Sequence, residues 1–211
     1  MADVVVVGAG PAGIVTALEL AQGGLEVLLI ESGGQRFDEG AQRLADAAEW
    51  DPELHAEMSM AVRRQLGGTS VIWGGRCVPY DPIDFERRDA APDADWPVGY
   101  DALRPLFQRA CDWFQCGRPA FDQAGMPHLP ESIVPGLPNA EVRSSSFERW
   151  SLPTNFAREY RRALRASRRV RLVTGLTCTR VLVAGAPARV QRLEARGADG
   201  QVVGLRGRRY V

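Results

Sequence analysis

The 211-residue chain is long enough for one large domain or two small ones, and for a substantial hydrophobic core. Its 45% hydrophobic content and formal net charge of zero are those of an ordinary globular protein, so the overall charge argues neither for a nucleic-acid binder nor for an acidic tail. No apolar run reaches the ~18 residues of a transmembrane helix, and the first apolar segment lacks the basic flank of a secretory signal, which predicts no membrane span and a cytoplasmic location.

The chain opens on a dinucleotide-binding βαβ pattern. Val4-Val5-Val6-Val7 reads as a buried strand, Gly8-Ala9-Gly10-Pro11-Ala12-Gly13 as the turn into a helix, and Leu25 to Ile30 as the second strand, closed by Glu31. In this pattern Gly8 makes the tight turn, Gly10 lets the backbone approach a pyrophosphate, and Gly13 lets helix and strand pack closely. The helix N-terminus offers free N–H groups and the positive end of its dipole to the phosphates. Glu31, eighteen residues beyond Gly13, stands where a carboxylate accepts hydrogen bonds from a ribose diol and repels a 2′-phosphate.

Phe37 to Met60 is polar and reads as helical. A second glycine cluster follows, Leu66-Gly67-Gly68-Thr69-Ser70-Val71-Ile72-Trp73-Gly74-Gly75-Arg76, with four glycines in nine residues. It has no core periodicity and suits a loop or helix start whose backbone lies against a flat ligand with Trp73 covering it. Val78 to Pro153 holds 11 of the 14 prolines and reads as a loop-rich cap or substrate-side segment, with one helix from Tyr100 to Phe114 capped by Asp101.

Regular patterning returns with a helix over Asn155 to Ser167. Its apolar face is Phe156, Tyr160, Ala163 and Leu164, and arginines surround the rest. All 26 basic residues of the chain are Arg, and from Arg143 onward 16 of them stand against four acidic residues. A solvated helix surface is the favoured reading of this charge over a nucleic-acid patch, because no nucleic-acid motif accompanies it. Strands are predicted at Val170 to Val173, Cys178 to Ala184, Val190 to Ala195 and Val202 to Leu205, with an Asp199-Gly200 hairpin and a further strand entered at Arg208. The division expected is 1–90 and 154–211 as two parts of one nucleotide-binding domain, with 91–153 between them. Cys77, Cys111, Cys116 and Cys178 read as reduced thiols with no zinc spacing, Cys111 and Cys116 packing in a core, and no metal site is expected.

Taken together, these motifs resemble the glucose-methanol-choline (GMC) family of flavin oxidoreductases. The specific part is Leu66-Gly67-Gly68-Thr69-Ser70 with Trp73-Gly74-Gly75-Arg76, followed by Asp81-Pro82-Ile83-Asp84-Phe85 and Trp96-Pro97. The resemblance covers the N-terminal portion of a typical member and implies a Rossmann-like α/β fold, a parallel sheet plus β-meander with an inserted cap segment, whose C-terminal part would follow Val211. It implies FAD, with Gly8, Gly10 and Gly13 at the pyrophosphate and Glu31 at the adenosine ribose. Gly67, Gly68, Thr69 and Ser70 would lie along pyrophosphate and isoalloxazine, Trp73 and Gly74 nearby, and the Cys178 backbone at adenine. Where some relatives attach FAD through a histidine, this chain has Ile72, which implies non-covalent FAD.

The reaction implied is oxidation of a CH–OH group of an alcohol, sugar or polyol, its hydride passing to flavin. The electron acceptor is open. In the family the catalytic base is a C-terminal histidine; His55 and His128 match no such motif, so no catalytic residue is assigned and the 211 residues alone are expected to be inactive. A partner chain or C-terminal half completing the fold, a non-catalytic FAD-binding module, and a flavin monooxygenase or reductase are the alternatives.

Overall fold

A computed structural model describes residues 1–87, 96–129 and 146–211. It divides into two compact units, Met1–Trp73 with Asn155–Val211, and Gly74–Thr154. The boundary expected between residues 90 and 91 lies outside the described residues.

In chain order the first elements are strand β1 (Ala2–Val7), helix α1 (Pro11–Gln22), strand β2 (Val27–Glu31) and the short helices α2 (Glu39–Arg43) and α3 (Met58–Ala61). Next come strand β3 (Arg76–Cys77), helices α4 (Tyr100–Leu103) and α5 (Phe107–Phe114), and strand β4 (Arg149–Trp150). Helices α6 (Phe156–Glu159) and α7 (Arg161–Ala166) lead into strands β5 (Val170–Thr174), β6 (Leu176–Ala184), β7 (Arg189–Gly197), β8 (Val202–Leu205) and β9 (Gly207–Tyr210).

The first unit is built on a parallel sheet in the order β5-β2-β1-β9. Val4, Val5, Val6, Val27, Leu29 and Ile30 are all buried, as expected of parallel strands covered on both faces. Helix α1 starts with Gly10 as its cap and Pro11 in its first turn, where the missing N–H costs nothing, and buries Ile14, Ala17 and Leu18, one face of the helical period. Strands β6, β7 and β8 form a separate antiparallel meander. Gly200, at φ +80°, takes the left-handed backbone that its hairpin turn requires.

The order in which strands are added to the sheet switches sides at β1, because β2 and β5 lie to one side of it and β9 to the other. In open α/β sheets the crevice at the carboxyl end of such a switch strand is where ligands sit. The Gly8 turn leaves β1 at that end.

Several expected elements are shorter or differently capped. Tyr100 to Phe114 is two α-helices separated by a 3₁₀ turn at Arg104–Leu106, because Pro105 has no N–H to continue the ladder. Gly99 rather than Asp101 is the cap, and Asp101 falls inside the first turn. The helix over 155–167 breaks at Tyr160, which ends α6 and begins α7, with Asn155 capping α6 by accepting from the Arg158 N–H at 3.1 Å. Ala157 is buried where Ala163 was expected, and Ala163 is exposed. Between Phe37 and Met60 only α2 and part of α3 are helical; the intervening polar residues, with Pro52 among them, form turns that bury little.

In the second unit β3 pairs antiparallel with β4, and Phe85, Trp96 and Tyr100 form a run of tilted and edge-on aromatic contacts at 5.4 to 5.9 Å between centroids. Among the described residues no helix is long and apolar enough to cross a membrane, and no group of His, Cys, Asp or Glu could hold a metal ion.

Candidate nucleotide-binding site

The three glycines of the first turn fill distinct roles in the structure. Gly8 has φ +97°, a backbone that L side chains rarely adopt, and its N–H donates to the Ile30 carbonyl at 2.8 Å, joining the turn to β2. A Cβ on Gly13 would lie 1.8 Å from the Gly8 carbonyl oxygen, so the helix can pack this closely on the turn only without one. Gly10 has ordinary extended backbone, and a Cβ there would meet only the Gly68 Cα, at 3.9 Å. The space beside Gly10 is open, the feature a closely approaching ligand needs.

The second glycine cluster is brought against the first. Gly67 donates its N–H to the Ala9 carbonyl at 2.8 Å and, like Gly68, has positive φ. A Cβ on Gly68 would lie 2.9 Å from the Gly10 Cα, and one on Gly67 would lie 2.8 Å from the Ala157 nitrogen. The two turns therefore meet backbone to backbone, with first-turn N–H groups of α1 beside them.

Residues Gly68–Val71 form a 3₁₀ turn. Ser70, 5% exposed, donates its hydroxyl to the Gly67 carbonyl at 2.6 Å and accepts from the Phe156 N–H at 3.1 Å, tying this loop to α6. The Phe156 ring is fully buried and lies tilted against the Tyr160 ring, their centroids 5.0 Å apart. Burial, with the Glu159 carboxylate second, pushes the Tyr160 hydroxyl up to about 12, so it stays neutral in the physiological range. Thr69 is exposed, Trp73 half-buried and Ile72 39% exposed. Gly74 belongs to the second unit.

Glu31 is buried at 6% exposure, and its carboxylate joins the first glycine turn to the residues just after β2. One carboxylate oxygen accepts from the Ala9 N–H at 2.8 Å; the other accepts from the Gly33 N–H at 2.8 Å and the Ser32 hydroxyl at 3.2 Å. A carboxylate has about four acceptor sites. These three bonds leave it capacity for a further donor.

A cavity of ≈ 610 Å³ opens beyond the ends of β2 and β5, lined by Ser32, Gly34, Thr177, Thr179 and Arg196 among others. Thr177 and Thr179, two apart on β6, both line it, and the Cys178 thiol lies 3.9 Å from the Arg180 carbonyl. The lining threonines and Arg196 went unnoticed in the sequence; the alternation of hydroxyls in Thr177-Cys178-Thr179 was the available signal. Ala9 and Gly33 were missed as well, because their roles are backbone roles that no side chain announces. A Gly33 Cβ would lie 2.1 Å from the Arg64 carbonyl oxygen, and Gly33 also accepts from the Gly175 N–H at 3.0 Å.

His55 has its Nδ1 2.7 Å from the Ala56 carbonyl in an exposed turn, and His128 lies in the second unit.

Residues 2–79 match the family of pyridine nucleotide-disulphide oxidoreductases. The chain is 33% identical over 116 residues to paromamine 6′-oxidase of Streptomyces fradiae and 31% identical over 117 residues to 6‴-hydroxyparomomycin C oxidase of Streptomyces lividus, in each case over 50% of this chain and 21% of the relative. Among solved structures, pyridoxine 4-oxidase from Mesorbium loti superposes with TM-score 0.60 at 22% identity, covering 100% of this chain and 48% of that one. A fungal aryl-alcohol oxidase gives TM-score 0.59 at 16% identity, covering 98% and 44%. The chain thus spans about half the length of the solved structures it resembles, and the matched stretch about a fifth of the curated relatives.

Proposed function

We propose that this chain, whose fold is that of the N-terminal portion of the glucose-methanol-choline oxidoreductases, is the FAD-binding part of a flavoenzyme that oxidises a CH–OH group of an alcohol, sugar or polyol. One observation carries the reading: the Gly8–Gly13 and Gly67–Gly68 turns meet backbone to backbone at the carboxyl end of β1, with open space beside Gly10. A simple nucleotide fold has the first turn; the second, pinned to it by the Gly67 N–H, is the added element. The names of the relatives favour an oxidase, and that of one fold neighbour, an aryl-alcohol oxidase, favours an alcohol substrate.

In this reading Gly10 and the first turn of α1 hold the pyrophosphate through N–H groups and the helix dipole. Glu31 accepts from the adenosine ribose with its remaining acceptor site, and the negative charge disfavours a 2′-phosphate. Gly67, Gly68 and Thr69 border the cofactor, Ser70 holds their loop in place, Trp73 and Gly74 lie nearby, and the backbone at Cys178 meets adenine. Bound FAD supplies the hydride acceptor for substrate oxidation. Ile72 presents an alkyl side chain, which cannot bond covalently to the flavin, so the cofactor is held without a covalent link. A small-molecule alcohol is the partner this reading implies; no catalytic residue is assigned within the chain.

The test is the visible spectrum and FAD affinity of the purified chain beside Gly10→Val. The wild type is expected to carry or take up FAD. The variant is expected to keep its melting temperature, because the space at Gly10 is open, yet to lose FAD affinity by about 100-fold, since a side chain would occupy the ground of the pyrophosphate. Equal affinity in the two proteins overturns the assignment. A purified chain that rejects FAD but binds NAD favours a pyridine-nucleotide enzyme instead.

A further inference from the structure

We propose that the arginine face of α6 and α7 docks the acidic segment 46–57 of a second copy of this chain, each copy giving one patch and taking the other about a two-fold axis. Arg158, Arg161, Arg162 and Arg165 follow the i, i+3, i+4, i+7 spacing that puts side chains on one helix face. They line one open depression of ≈ 490 Å³, so the break at Tyr160 does not part them. All four are exposed, and among the described residues none forms an ion pair with an acid. Like charges at this spacing repel, and a surface of carboxylates set against them removes that cost. Arg161 and Arg165 also line a cavity of ≈ 280 Å³ with Leu66, Leu164, Val170 and Leu172, which sets the charge beside apolar side chains.

The complementary patch lies in the same compact unit. Residues 46–57 hold Asp46, Glu49, Asp51, Glu53 and Glu57 and no Arg. All five acids are exposed, and among the described residues none of them pairs with an Arg. In their midst Leu54 is 85% exposed, an apolar side chain suited to the leucine and valine lining beside Arg161 and Arg165. Net charge decides the partner. With 26 Arg against 26 acids no net repulsion holds two copies apart, and opposite patches on them attract. A nucleic acid would be repelled by the acidic segment, and no described aromatic residue lines the arginine depression for a base to stack on.

The experiment is sedimentation velocity of the full chain over a concentration series at low and high salt. A dimer is expected at low salt, with its dissociation constant rising at least about ten-fold between ~20 mM and ~500 mM salt as the charges are screened. Two charge-reversed variants locate the contact. Arg161→Glu with Arg165→Glu, and Glu49→Arg with Glu53→Arg, each set like charge against like within their own dimer and should sediment as monomers. Mixed in equal amounts, they keep one native contact and restore the other with its signs exchanged, so a heterodimer is expected, which a misfolded variant cannot give. Circular dichroism of each variant checks the fold. A wild type that stays monomeric at low salt, a dimer indifferent to both reversals, a series of species larger than two, or a mixture that stays monomeric overturns the proposal. A monomeric chain retained on heparin assigns the arginines to a polyanion and overturns it as well.

Discussion

Gly10 and Gly13 differ by three positions and have opposite constraints. Gly13 is closed in by backbone, and a Cβ 1.8 Å from the Gly8 carbonyl oxygen cannot be relieved by rotating a side chain. Gly13→Ala should therefore destabilise the first unit by about 3 kcal/mol or more, measured by denaturant unfolding. Gly10 is open, and its replacement should act on cofactor affinity rather than stability. Glu31 combines the two roles. In Glu31→Gln one of the acceptor oxygens becomes an NH₂ donor facing backbone N–H groups, so a loss of about 1 to 3 kcal/mol of stability is expected, with an accompanying fall in FAD affinity. Unchanged stability would show that the carboxylate bonds to Ala9 and Gly33 contribute little.

Ser70 joins the second glycine loop to helix α6. Its hydroxyl both closes the 3₁₀ turn and receives the Phe156 N–H, so Ser70→Ala removes both bonds and should destabilise the unit by about 1 to 3 kcal/mol. FAD affinity should drop in parallel, because Gly67 and Gly68 are positioned by that turn; isothermal titration of the variant checks this. Affinity equal to wild type would mean the loop is held by the Gly67 to Ala9 bond alone. Elements whose limits depend on local chemistry were legible: β1, α1 and β2 follow from the valine run, the Gly-Pro start and the apolar period. The interruption at Arg104–Leu106 was also readable, since Pro105 carries no N–H, yet the apolar period across it suggested a single helix. The break at Tyr160 was not readable. No breaker residue marks it, and the residues buried on either side, Phe156 and Leu164, continue the apolar period across it.

Acid or heat should release the flavin into the supernatant, because Ile72 offers no atom for a covalent link; flavin that stays with the denatured polypeptide would contradict this. Residues 1–211 alone should bind FAD without fast anaerobic bleaching by sugars, polyols or aromatic alcohols. A positioned general base is worth about 10²- to 10⁴-fold, and His55 is engaged with the Ala56 carbonyl. Rapid bleaching would put a base within these residues, with His128 the first to replace.

The sequence by itself determined the βαβ unit, the meander with its Asp199-Gly200 hairpin, and the glycines that a ligand or a tight turn requires, because these follow from periodicity, turn chemistry and spacing along a short stretch of chain. Tertiary structure alone decided that Gly67 lies on Ala9, that Ser70 reaches Phe156 across 86 positions, and that Glu31 spends its acceptors on Ala9, Ser32 and Gly33. It also set Cys77 opposite Arg149. Hydrogen bonds and close contacts between residues far apart in sequence depend on how the sheet orders its strands, and β9 and β5 flank β1 and β2 only once the whole unit has folded.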